Sequence, residues 1–338
     1  MRAGTPHSSS LYNAEGRTLI ESNTLRKNKD LIAVAGPTGC GKSELALRLA
    51  EEFRGEIVNC DSVQMYRYFD IGTAKLAPGE WRGIPHHLIG IANPDELFTA
   101  GDFARRGRAL LQEICDRGHV PVVAGGTGFY VRALIDGLAP GPQRDEVLRA
   151  RLRTREERHP GSLHRLLRRF DSATAARIHP NDTPKVMRAV EICLSSRQSA
   201  SAVFAAGRDA LAGFRVLKIG LFPSRDKLYQ RLDGRIQGMF NAGLIEETQS
   251  ILDRGYAPEC KPFESIGYKH ALQVIRGELS PKDALFYAAR DTRRYAKRQM
   301  TWFRQEPDIE VFAGFGDDPA IINAVLSRVR EFLDRSSC

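Results

Sequence analysis

No stretch of the 338-residue chain approaches the ~18 consecutive apolar residues that a membrane-spanning helix needs, so no membrane association is expected. Met1 to Asp30 is polar and lacks the apolar centre of a secretory signal. Residues 1–29 read as a disordered extension, or as translation from an upstream start codon. Cysteine is scarce and scattered. Cys40, Cys60, Cys115, Cys193, Cys260 and Cys338 form no C-x-x-C pair and no Cys/His set at zinc spacing. A structural metal is therefore not expected, and the thiols read as reduced in a cytoplasm. The chain also has no internal repeat and no low-complexity tract.

What is present suits a globular protein: 42% hydrophobic and 27% charged residues, enough for one large domain or two ordinary ones. Lys and Arg outnumber Asp and Glu by 50 to 41, giving a net charge of +9. That balance suits a polyanionic partner.

Short apolar runs alternate with amphipathic segments, the pattern of an α/β fold with a parallel sheet. Strands are expected at Leu31–Ala35, Glu56–Cys60, His119–Ala124 and Arg215–Phe222, and a helix at Glu44–Phe53. Between Gln143 and Gly207 no strand is expected. This stretch holds Arg149, Arg151, Arg153, Arg155, Arg158, Arg165, Arg168 and Arg169, and reads as a helical insertion into the sheet domain. Ser199–Ala212 reads as its flexible exit, and helices are expected to dominate from Lys227 to a final one at Pro319–Asp334. The domain reading is thus a core of 30–142 and 208–314, an insertion of 143–207, and a C-terminal helix within 315–338.

The run Gly36-Pro37-Thr38-Gly39-Cys40-Gly41-Lys42-Ser43 matches G-x-x-x-x-G-K-[ST], with a strand before it and a helix after it. Its glycines let the backbone curl so that successive N–H groups face phosphate oxygens, and the following helix adds the positive end of its dipole. Lys42 supplies a point charge, and the Ser43 hydroxyl can hold Mg²⁺. Kinases, GTPases and ATPases share such a loop, so it does not choose a reaction. The strand before Gly125 ends in glycine and not in a metal-binding Asp. Asp61, at the end of the strand Ile57–Cys60, keeps a metal role open.

Several further runs resemble the tRNA dimethylallyltransferases (tRNA isopentenyltransferases). They are Asp61-Ser62-Val63-Gln64-Met65-Tyr66, Gly72-Thr73-Ala74-Lys75, His86-His87-Leu88, Gly125-Gly126-Thr127-Gly128 and Arg177-Ile178-His179-Pro180-Asn181-Asp182. Ile266-Gly267-Tyr268-Lys269 and the segment from Arg294 to Arg304 complete the set. The resemblance spans roughly residues 30–312. It implies a P-loop NTPase-like core, and transfer of a dimethylallyl group from dimethylallyl diphosphate to the N6 amine of the adenosine immediately 3′ of the anticodon, in tRNAs reading codons that begin with U. The loop would then hold a departing diphosphate, with Mg²⁺ as cofactor, and ATP is not the expected substrate.

By the same resemblance Asp61 would take a proton from the adenine amine, Thr127 would contact the diphosphate, and Arg235 would neutralise it. Each has a plainer alternative: a helix cap or metal ligand for Asp61, a helix cap for Thr127, a solvated surface arginine for Arg235. Asp61, Ser62, Val63 and Gln64 would meet the target base. Further tRNA contacts are implied for Arg149, for Pro184, Lys185, Val186, Met187 and Arg188, and for Glu264, Ser265, Ile266, Gly267, Tyr268 and Lys269. The last group is Lys297, Arg298, Gln299, Met300, Thr301, Trp302, Phe303 and Arg304. Glu264-Ser265 and His270 depart from the family's usual residues, and His86 and His87 read as structural.

Arg290, Arg293, Arg294, Lys297 and Arg298 recur at helical spacing on one face. With an aromatic beside them they suit a phosphate backbone and an unstacked base. An extruded adenine costs a few kcal/mol, which a closing arginine-rich insertion would offset. The expected partners are therefore a tRNA anticodon stem-loop and dimethylallyl diphosphate, with a monomeric chain. Lacking the zinc-finger extension of eukaryotic relatives, it reads as a bacterial or organellar form. A small-molecule kinase, an adenylate isopentenyltransferase acting on free AMP or ADP, and an RNA-binding ATPase switch remain the rivals.

Overall fold

In a computed structural model that describes residues 29–335, six strands form one sheet in which every pairing is parallel. They are β1 (Lys29–Ala35), β2 (Gly55–Asn59), β3 (His86–His87), β4 (Val120–Gly125), β5 (Phe214–Leu221) and β6 (Ile309–Phe312), in the spatial order β3-β2-β4-β1-β5-β6. The central strand is apolar without alternation: Leu31 to Ala35 are each at most 3% exposed. Such a run is what a strand covered on both faces requires. On one face the helices Lys42–Glu52 and Pro319–Asp334 meet it through Leu45, Leu49, Val325 and Val329. On the other, Phe103, Leu111, Ile114 and Leu134 come from the helices Ala100–Asp116 and Gly128–Ile135. Each fully buried side chain of this kind stabilises the fold by roughly 1.5–3 kcal/mol.

The expected strands are all present, with ends shifted by one or two residues. Two strands were not expected. β3 has only two residues and β6 only four, too short for an alternation to show. The first helix begins at Lys42 and not at Glu44, because the glycine loop runs directly into it. The segment expected as a loop at Ser199–Ala212 contains a helix at Ala200–Ala205, capped where the Ser199 Oγ accepts the Ala202 N–H at 3.2 Å. The final helix, Pro319–Asp334, has the expected bounds. Of the extension expected at 1–29, residues 1–28 lie outside the described residues, as does Cys338, while Lys29 is not disordered but opens β1 by pairing with β5.

Between β4 and β5 the chain leaves the sheet for the helices Glu146–Arg158, Ser162–Phe170, Ser172–Arg177, Thr183–Ser196 and Ala200–Ala205. They bury an apolar cluster of their own, which includes Leu152, Leu163, Leu167, Val186 and Val190. The outgoing and returning segments touch at Gly137, where a Cβ would stand 2.0 Å from the Asp209 carbonyl oxygen, so only glycine fits. Beyond β5, the helices Arg225–Asn241, Leu244–Asp253, Tyr268–Ile275 and Pro281–Arg304 form a further layer against the C-terminal ends of the strands.

Candidate functional site

Parallel strands deliver their C-terminal ends to one edge of the sheet, and ligands of such sheets bind there. Register brings three loops together. Ala35 of β1 pairs with Gly125 of β4, and Ala124 pairs with Asn59 of β2. The phosphate loop, the Asp61 turn and the glycine turn therefore lie side by side. A Cβ on Gly125 would fall 2.0 Å from the Cys60 carbonyl oxygen, so glycine alone permits this approach. Gly41 opens the first helix at φ +87°, a left-handed conformation that glycine adopts without strain.

A cleft of about 340 Å³ runs between these loops. Its lining includes Lys42, Ser43, Asp61, Gln64, Arg235 and Gln299. The Lys42 ammonium donates to the Pro37 carbonyl at 2.7 Å, which folds it back over its own loop. The Asp61 Oδ1 accepts the Val63 N–H at 2.9 Å and the Gln64 N–H at 3.3 Å. That turn fixes the carboxylate at the cleft wall. Thr127 precedes the helix Gly128–Ile135, yet its side chain makes no capping bond. Its Oγ1 instead accepts the Ser62 N–H at 3.1 Å and lies 3.4 Å from the Ser62 hydroxyl. Thr127 is thereby tied to the Asp61 turn.

Arg235 is half-buried in the cleft wall and not a solvated surface residue. Burial lowers its guanidinium from the ordinary value, while the charge of Asp61 opposes that shift. It reaches the Thr73 carbonyl at 3.5 Å, and the Gln64 side-chain amide donates to the same oxygen at 3.1 Å. One turn earlier, Arg231 faces the cleft and pairs with Asp317 at 2.9 Å. Asp317 belongs to the turn before the final helix. The Gly316 N–H donates to the Cys40 carbonyl at 2.8 Å, so this turn closes over the phosphate loop. The sequence reading missed Arg231 and Asp317. For Arg231 there was a signal, its i,i+4 spacing from Arg235; for Asp317 there was none. Burial raises the thiols of Cys40 and Cys60, which keeps them protonated beside the cleft.

The long helix Pro281–Arg304 divides the residues read from it. Arg294, Lys297, Arg298, Thr301 and Arg304 are exposed, and the first four border a groove of about 470 Å³ with Trp302. Gln299, Met300 and Phe303 are buried and form part of the core, because their positions on the helix face inward. Arg293 is drawn aside to Asp233, and Arg290 to Asp291 at 3.2 Å. Tyr268 is fully buried, its hydroxyl donating to Glu247 and accepting the Gly72 N–H at 3.0 Å. Lys269 pairs with Asp291 at 2.6 Å, and Glu264 is exposed beside them. His270, buried against Asp291, is brought down to about 4 chiefly by burial and next by the Lys269 charge.

In the insertion, Arg149 and Arg188 both reach the fully buried Glu191, at 3.3 and 2.7 Å. Pro184 and Lys185 are exposed, whereas Val186 and Met187 pack inside the insertion's own apolar cluster. The arginines open to solvent include Arg151, Arg153, Arg155, Arg158, Arg165, Arg168 and Arg169. His86 stacks on Trp81 with ring centres 4.7 Å apart, and His87 lies 2.6 Å from Glu56. Among the described residues no group of three or more His, Cys, Asp or Glu side chains could hold a metal ion, and no helix is long and apolar enough to cross a membrane.

Comparison with known proteins adds names to this geometry. Residues 64–306 match the family described as IPP transferase. A tRNA dimethylallyltransferase of Solibacter usitatus is 61% identical over 303 residues, covering 90% of this chain and 99% of that protein. One from Koribacter versatilis is 50% identical, covering 89% and 98%. Among solved structures, a tRNA isopentenylpyrophosphate transferase of Bacillus halodurans is 35% identical with a TM-score of 0.67, covering 92% of this chain and 98% of that one. A eukaryotic dimethylallyltransferase acting on tRNA is 28% identical with a TM-score of 0.78, covering 91% and 80%.

Proposed function

The chain belongs to the IPP transferase family, and from that premise we propose that it is an enzyme that transfers a dimethylallyl group from dimethylallyl diphosphate to tRNA. The acceptor is the N6 amine of the adenosine immediately 3′ of the anticodon, in tRNAs reading codons that begin with U. The observation that carries this reading is the convergence of Asp61 and Arg235 with the phosphate loop on one cleft, with Thr127 hydrogen-bonded to the Asp61 turn beside it.

In the reaction the amine attacks the allyl carbon, and the carbon–oxygen bond to the diphosphate breaks with its electron pair leaving on oxygen. Negative charge therefore grows on the leaving group while the allyl carbon becomes cation-like. Donors aimed at the diphosphate lower the barrier because they gain strength as that charge develops. Lys42, Arg235, the loop amides and the Thr127 hydroxyl are those donors. Asp61 takes the proton that the amine sheds, the task of a positioned general base. Its Oδ1 is held by two backbone N–H groups, which supports that assignment by fixing the carboxylate's direction.

Mg²⁺ is the proposed cofactor. The donor set suits an ion that arrives with the diphosphate: a Ser43 hydroxyl in the cleft, without an all-protein cage. Bound there, it would neutralise diphosphate charge.

RNA contacts are proposed for the exposed basic residues of the long helix, for the turn at Ser62 to Gln64, for Glu264 and Ser265, and for Pro184 and Lys185 in the insertion. Unpaired thiols at Cys40, Cys60, Cys115, Cys193 and Cys260 support a cytoplasmic setting, and action as a monomer is proposed. The test uses labelled dimethylallyl diphosphate with either unmodified tRNA or AMP. Label is expected on tRNA. Label on AMP alone would point to an adenylate isopentenyltransferase, and label on neither, with ATP turnover, would end the prenyl-transfer reading.

A further inference from the structure

Gln299 lies on the inner face of the helix whose outer face carries Arg294, Lys297 and Arg298, and it is only 7% exposed. Its Oε1 accepts the Thr38 N–H of the phosphate loop at 2.9 Å, and its Nε2 donates to the Gly126 carbonyl of the glycine turn at 2.8 Å. A Cβ on Gly126 would stand 2.6 Å from that Nε2, so the turn and the amide are in close contact. One turn further along, the Trp302 indole covers Gly128, where a Cβ would fall 2.3 Å from the ring. The Arg132 guanidinium sits 4.4 Å from the centre of the same ring and is anchored on buried Glu306 at 2.8 Å.

We propose that Gln299 is a positioning residue: it sets the separation between the phosphate loop and the Thr127 turn, and so links the diphosphate grip to the helix that meets RNA. The inference rests on the prenyl-transfer reading and adds a residue that acts through the two loops it joins. An amide is the side chain this place requires, because it offers an acceptor and a donor side by side. A carboxylate would lose the donor, and asparagine is one methylene too short to span both loops. Losing both bonds leaves the Thr38 N–H and the Gly126 carbonyl unpaired inside the protein, which costs more than the bonds themselves contribute.

The experiment compares the full native chain with Gln299→Ala and Gln299→Glu. It measures affinity for inorganic diphosphate, affinity for an anticodon stem-loop RNA, and thermal stability. Gln299→Ala is expected to weaken diphosphate binding by roughly 10-fold or more, with RNA affinity held within about 2-fold. Gln299→Glu is expected to match it near pH 8. Beside the Gly126 carbonyl the introduced carboxyl has a raised pKa, so it takes up a proton as the pH falls toward about 6 and regains the missing donor. Its diphosphate affinity relative to the native chain then recovers, which a side chain with a merely structural role would not produce. Weakened RNA binding with unchanged diphosphate binding would make Gln299 an RNA contact and overturn the proposal. A lower melting temperature with both affinities unchanged would overturn it too, as would Gln299→Glu without recovery. If the native chain binds diphosphate but labels no tRNA, the functional reading fails separately from this one.

Discussion

The proposed function gives Asp61 and Thr127 different tasks, and single substitutions separate them. Asp61→Asn keeps an oxygen to accept the Val63 N–H but removes the base, so transfer is expected to fall roughly 100- to 10,000-fold. Thr127→Ala removes the proposed donor to the leaving group and is expected to cost roughly 100-fold. Neither change should move tRNA affinity by more than about 2-fold; a loss of binding equal to the loss of rate would assign both residues to recognition. At this scale the sequence was legible wherever function is local. Gly36 to Ser43 are consecutive and were read directly. Asp61 stood out as a strand-end carboxylate, but its expected role, and Thr127 and Arg235 altogether, became readable only through resemblance, since their placement depends on contacts between separate segments. Asp317 and the inward turn of Gln299 were not legible, because both come from contacts between segments far apart in the chain.

Among the elements, β2 carries an ion cluster that makes its own prediction. Glu56 is 2% exposed. It accepts from Arg117 at 2.6 and 3.0 Å and lies 2.6 Å from both His87 and His119, which ties the edge strand β3 to the approach to β4. Burial alone would raise its carboxyl, but the hydrogen bonds from Arg117, His119 and His87 outweigh burial and bring it down to about 2. A folded-state value below the ordinary one stabilises the protein above about pH 4.5 and loses that stabilisation as the pH falls toward 2. The full effect is on the order of 3 kcal/mol. Glu56→Gln should therefore unfold at lower denaturant than the native chain at pH 7, with the gap narrowing between pH 4.5 and 2. A gap that does not change with pH would show that the carboxylate charge is not what matters. Nothing in the sequence marked this cluster beyond the pair His86-His87. The longer elements were legible because their periodicity repeats; β3 and β6 were not, because two or four residues cannot display a period.

For the whole molecule, the question is whether the arginine-rich insertion is a separate unit that grips RNA. Its apolar cluster is its own, and its connecting segments meet beside the sheet domain, where the Leu211 N–H donates to the Ile135 carbonyl at 2.8 Å. Its texture in the sequence was enough to mark it out: a dense run of arginines with no strand signal between two readable strands. The pairing of Arg149 and Arg188 with buried Glu191 was not readable, and it leaves exposed Arg151, Arg155, Arg158, Arg168 and Arg169 to present charge to solvent. Replacing residues 146–205 with a short linker between the segments that already touch at Gly137 and Asp209 should leave the cleft intact, since no cleft residue lies in that stretch. The shortened chain is expected to bind inorganic diphosphate within about 2-fold of the native chain. It should lose at least 10-fold in affinity for tRNA, with a shallower salt dependence, because each phosphate contact removed lowers the slope of log affinity against log salt by about 0.7 to 0.9. Unchanged tRNA affinity with an unchanged slope would mean that the long helix grips the RNA alone and that the insertion does not clamp it.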